Sequence, residues 1–107
     1  MLEIVKIVVT IPPDHGDKLR EAIGLVGGGK IGGNYSFCSF TVRGTGRFKP
    51  NKKAHPFVGE IDKLDEVDEE RIEITCDKVD APRIVKTIRE NHPYEEPAID
   101  IYPLLSL

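Results

Sequence analysis

The chain has 107 residues, 39% of them hydrophobic and 31% charged, with a net charge of −3. That is one globular domain, residues 1–107, long enough to bury a core without covalent staples. Two cysteines, Cys38 and Cys76, are too few for a disulfide framework or a zinc knuckle. No apolar run approaches the ~20 residues of a membrane span and no leader precedes the first strand, so the expected compartment is the cytoplasm.

Residues 2–11, LEIVKIVVTI, are rich in β-branched side chains and predict a strand. Val5, Ile7, Val9 and Ile11 point one way; Leu2, Ile4 and Val8 point the other, interrupted by Lys6. A strand apolar on both faces is covered on both. One helix layer covers one face, and a partner subunit is the economical source for the second. Pro12-Pro13 stops the strand, and Asp14 or a neighbour is placed to cap a helix over 14–26, with Leu19, Ala22, Ile23 and Val26 at helical spacing. Gly27-Gly28-Gly29 ends that helix. Residues 35–43, YSFCSFTVR, predict a second strand and 44–58 a Gly/Pro/Lys-rich loop. Residues 67–76 predict a third strand, with Ile72, Ile74 and Cys76 on one face. Asp80 is the expected cap of a helix over 81–91, which Pro93 stops, and 99–104 is the last strand.

The order βαββαβ defines an α+β, ferredoxin-like domain: a four-stranded antiparallel sheet, spatial order 4-1-3-2, with two helices on one face. In that topology the turn after strand 1, the loop between strands 2 and 3, and the turn before strand 4 share one end of the sheet. His15, His55 and His92 therefore gather there with Tyr94, Glu95, Glu96 and the basic loop.

Charge is unevenly spread. Residues 1–57 carry nine Lys/Arg against four Asp/Glu, and residues 58–107 carry six against fourteen. Such asymmetry fits an anion-binding surface or complementary patches that meet in an oligomer. The segment Arg43 to Lys53 holds five cations in eleven residues, with glycines that expose backbone amides; Arg47 and Lys49 are its candidate anion ligands. Nucleic acid is a poorer fit, since the basic charge is one loop on an acidic protein with only Phe48 for stacking. Gly27 to Gly33 has the composition of a phosphate loop, but it follows a helix, opens a strand, and places Ile31 after Lys30 where a hydroxyl is needed. Its role is to end a helix and turn the chain.

The stretch His92-Pro93-Tyr94-Glu95-Glu96-Pro97 places His92 at a helix C-terminus, where the dipole favours its protonated form. His92 with Glu95 or Glu96, completed by His15 or His55, is a candidate set for a divalent metal, although nothing fixes the ligand spacing. Packing or hydrogen bonding of Tyr94 and Glu95 at a subunit contact is the structural alternative. No nucleophile or acid/base pair can be named.

Lys30-Ile31-Gly32, Asn34-Tyr35-Ser36, Gly44-x-Gly46-x-Phe48-x-Pro50, Ala54-x-Pro56, Glu66-Val67-x-Glu69, Arg71-Ile72-Glu73 and His92-Pro93-Tyr94-Glu95-Glu96-Pro97-Ala98 together resemble the small inserted domain of the NIF-three-like (YqfO-type) proteins. Phe37 departs from that pattern, at a position often polar. The domain is similar to CutA and to PII signalling proteins, trimers of ferredoxin-like subunits. The resemblance implies a homotrimeric regulatory or ligand-sensing module standing on its own. It would bind a small anion or a partner protein through the loop end of the sheet, with Arg47, Lys49, His92, Tyr94 and Glu95 as candidates. A CutA-type divalent-metal protein is the alternative reading. The family's dinuclear metal centre resides in flanking domains absent from this sequence, so its GTP-cyclohydrolase-like activity is not expected of this chain.

Overall fold

The computed structural model describes residues 3–107. Strand β1 (Ile4–Ile11) leads through a 3-10 turn (Pro13–His15) into helix α1 (Gly16–Leu25). Strands β2 (Phe40–Phe48) and β3 (Asp65–Asp77) follow, then a 3-10 turn (Lys78–Asp80), helix α2 (Ala81–Glu90) and strand β4 (Ile99–Pro103). The sheet order is β2-β3-β1-β4 and every neighbouring pair is antiparallel. This is the ferredoxin-like architecture that the element order predicts.

The register shows why β1 is central. Val5, Ile7, Val9 and Ile11 lie opposite Cys76, Ile74, Ile72 and Glu70 of β3, and all but Glu70 belong to the buried core. Leu19 and Ile23 of α1 and Ala81, Ile84 and Ile88 of α2 close that core from the helix side. Spacing three to four apart puts each set on one helical stripe. Among the described residues, none forms a covering layer on the other face of the sheet. Ile4, Phe40, Val42, Tyr102 and Leu104 are exposed there, while Val8 is buried opposite Glu73, which is shared by Lys6 and Arg71 at 3.1 Å each. Lys6 thus finds an acidic partner within the sheet. Leu2, assigned by alternation to this face, lies outside the described residues.

Three local expectations are revised. The second strand runs over 40–48 rather than 35–43, so half of the supposed basic loop is paired strand. Arg43 and Arg47 project beside acidic β3, where Arg47 Nε meets Glu66 at 3.0 Å and Arg43 approaches Glu70 at 3.9 Å. The segment before it is held otherwise: Phe37 takes a positive φ of 56° and lays its ring over Gly24, where any Cβ would collide with it. Asp14 caps no helix, and Asp80 holds the N-cap position of α2 without a capping hydrogen bond from its side chain. Asp14 lies within the 3-10 turn, and the Asp80 carboxylate accepts from Arg83 at 3.1 Å instead. Arg83 also donates to the Val26 carbonyl at the end of α1, tying the helices together.

Gly27, with φ of 93°, does what the triple glycine was expected to do: at the end of α1 its N–H donates to Gly24 O, and Gly28 N–H donates to Ile23 O. Gly29, with φ of 82°, donates to Thr75 O and accepts from Cys38 N–H, with no room for a side chain against the Cys38 backbone. At the same end of the sheet, Leu104 N–H donates to Ile4 O at 3.1 Å, and Lys78 N–H donates to Glu3 O at 2.8 Å.

Candidate functional site

Helix α2 stops at Glu90, and the turn after it packs against the end of β1. His92 Nε2 lies 2.8 Å from Thr10 O, and Tyr94 N–H lies 3.1 Å from His92 Nδ1. A carbonyl only accepts and an amide only donates, so the tautomer is fixed: Nε2 carries the proton and Nδ1 the lone pair. Burial lowers the His92 pKa, outweighing the opposing pull of the Thr10 carbonyl and the Glu69 charge. The imidazole is therefore held neutral, and the protonated form expected from the helix C-terminus is not favoured.

Tyr94 reaches the other way. Its hydroxyl donates to Glu69 Oε2 at 2.9 Å, and Glu69 is 9% exposed. Burial first, then that hydrogen bond, pushes the phenol pKa well above its ordinary value. Gly46 of β2 makes room for the carboxylate, since a Cβ there would run into it.

The long connection after Phe48 folds back over this turn. Phe57 sits edge-on to His15 with centroids 5.6 Å apart and tilted against Tyr94 at 6.2 Å; Tyr94 in turn lies 4.9 Å from His92. His55 N–H donates to Glu95 Oε1 at 2.8 Å. Between connection and turn lies a pocket of about 340 Å³. Its walls are mostly apolar, from Phe48, Pro50, Pro56, Phe57 and Tyr94; Lys49, Glu95 and Glu96 supply the charge.

The topological expectation holds in outline: His15, His55, His92, Tyr94, Glu95 and Glu96 all come to this end. They do not play equal parts. Lys49, Tyr94, Glu95 and Glu96 line the pocket, while His15 touches it only through Phe57. His92 lies behind Tyr94, and His55 contributes its main chain. Arg47 is turned to Glu66, away from the pocket. The metal set suggested by the sequence is not assembled. Both ring nitrogens of His92 are engaged, and no group of three or more His, Cys, Asp or Glu among the described residues is arranged to hold an ion. Sequence reading missed Phe57 and Glu69. Glu69 falls within the expected third strand, where no local signal marks it as the partner of Tyr94.

The fold places the chain in a known class. CutA1 from Oryza sativa superposes with a TM-score of 0.72 at 16% identity, covering 98% of this chain and 83% of that one. Bacillus subtilis GlnK, solved as an ATP complex, does so at 0.66 and 15%, covering 95% and 82%. The domain is thus CutA/PII-like in fold. A Bacillus cereus protein related to NIF3 superposes at 0.84 with 39% identity, over 96% of this chain and 26% of that one. A Halalkalibacterium halodurans protein named GTP cyclohydrolase 1 type 2 homolog is 46% identical over 99 residues, 92% of this chain. This chain is similar to these NIF3-related proteins over the portion it covers. It spans about a quarter of their length. No family model matches it.

Proposed function

We propose that this chain is a small regulatory module of PII/CutA type that assembles as a homotrimer and takes a ligand or a partner segment at the loop end of its sheet. The pocket between the 49–58 segment and the Tyr94–Glu96 turn carries this reading. Its volume is in the range of small-molecule sites, and its apolar walls with a few charged groups have their usual composition. The charge favours a ligand with an apolar body that meets Lys49 on one side and Glu95 and Glu96 on the other. A simple anion gains less, because Arg47 is matched by Glu66. Self-association is supported by the uncovered apolar side chains on the open sheet face.

ATP is the first probe, since the GlnK neighbour was solved with it. In amide chemical-shift mapping, the expected perturbations fall on Phe57, Tyr94 and Glu95. Perturbations confined to Gly28, Lys30 and Gly32 would put the ligand at the opposite end and overturn the assignment.

A further inference from the structure

The contacts around His92 form one connected chain that ends at the pocket. Thr10 O holds Nε2–H; Nδ1 holds the Tyr94 amide; the Tyr94 hydroxyl holds Glu69; and the next residue, Glu95, holds the His55 amide of the covering segment. Tyr94 and Glu95 are at once links in this chain and walls of the pocket. Among the described residues, the only acceptor for the Tyr94 amide is a nitrogen that can bind a proton.

We propose that His92 is a proton-operated latch: a second proton on its ring releases the Tyr94 turn and, with it, the segment that covers the pocket. The inference rests on the pocket being the binding site and adds how that site is regulated. Protonated Nδ1 is a donor facing a donor, so the Tyr94 N–H loses its partner and the two are driven apart. The Thr10 contact survives, because Nε2–H is unchanged, which leaves the ring as a pivot. The turn then moves relative to β1, carrying the Tyr94 hydroxyl from Glu69 and the Glu95 carboxylate from the His55 amide.

The groups facing the ring come from every element packed on it: the Thr10 carbonyl from β1, Glu69 from β3, His15 from the 3-10 turn and Tyr94 from its own turn. Glu69 favours the proton; burial and the nearby His15 oppose it. The folded value lies below the ordinary histidine value of about 6.5. Closure is therefore fully supported above that pH and is lost as pH falls through the folded value.

Hydrogen exchange on the ligand-free protein, corrected for intrinsic rates, tests this between pH 7.5 and 5. The Tyr94 and His55 amides should lose protection together, by about tenfold or more, while the Ile7 and Ile74 amides keep theirs. His92→Asn keeps an acceptor for an amide two residues on, as in an Asx-turn, but cannot titrate; its Tyr94 and His55 protection should be flat with pH. Constant protection in the wild type, or the same loss in His92→Asn, overturns the latch. Loss that persists in His92→Asn and vanishes in His15→Gln assigns the effect to His15 and equally overturns it. If His92→Asn does not fold, histidine-ring ¹⁵N shifts of the wild type decide: Nε2–H at pH 7.5, with a midpoint coinciding with the His55 loss, or the proposal fails. Because no ligand is present, a failed latch is distinct from a failed site, which ATP mapping reports separately.

Discussion

Tyr94 and Glu69 show what a single pair contributes when it is screened from water. The phenol supplies the carboxylate with its hydrogen bond inside the fold. Tyr94→Phe should therefore cost about 1–3 kcal/mol in a denaturant melt, the penalty of a buried polar group left unpartnered. One of the chain's three tyrosines should also resist ionisation well beyond the usual range in a spectrophotometric titration. The folded state keeps a proton that the unfolded chain gives up, so stability should fall as pH climbs past about 10. Gly29 is a second residue with little freedom. Gly29→Ala forces a side chain into a left-handed backbone and against the Cys38 main chain, and should destabilise by about 2 kcal/mol or more. Gly27, which ends α1, was readable from its place after a helix; Glu69 was not. Its role depends on a tyrosine 25 residues away that reaches it only once the sheet has formed.

At the scale of elements, β1 and α2 were legible because their own periodicity marks what they bury. Strand β2 was not, and the reason is physical. Arg43-Gly44-Thr45-Gly46-Arg47 carries two glycines and two cations, which taken alone describe a loop. Its strand character is borrowed from β3, whose Glu66 and Glu70 stand opposite those arginines. A window of local sequence cannot contain that partner. YSFCS, conversely, alternates like a strand, yet Phe37 leaves the sheet for the surface of α1. The cross-strand ion pair between Arg47 and Glu66 is exposed, so removing either side chain should leave stability within about 0.5 kcal/mol. Ile84→Ala, which empties a fully buried position of α2, should cost about 2–5 kcal/mol in the same assay.

For the whole molecule, the open sheet face is the feature that most requires explanation. The sequence pointed to it through the second apolar side of β1, although its own Val8 is already sheltered and, apart from Ile4, the exposed part lies on the outer strands. A trimer that buries Phe40, Val42 and Tyr102 would remove this surface from water at about 25 cal/mol per Å². Phe40→Asp together with Val42→Asp should yield a folded monomer of 11.9 kDa by light scattering, where the native chain should give three times that mass. A native chain that runs as a monomer at micromolar concentration would defeat the trimer.

The hydrogen bond from Leu104 to Ile4 has a consequence of its own. It brings the backbone at the start of β1 and just past the end of β4 side by side, along the line where the two strands pair. A polypeptide that incorporates this domain can pass into it and back out through a single gap, with its own path barely interrupted. The module is therefore portable: a host needs to open at only one loop to accept it, and losing it would leave a break short enough to reseal.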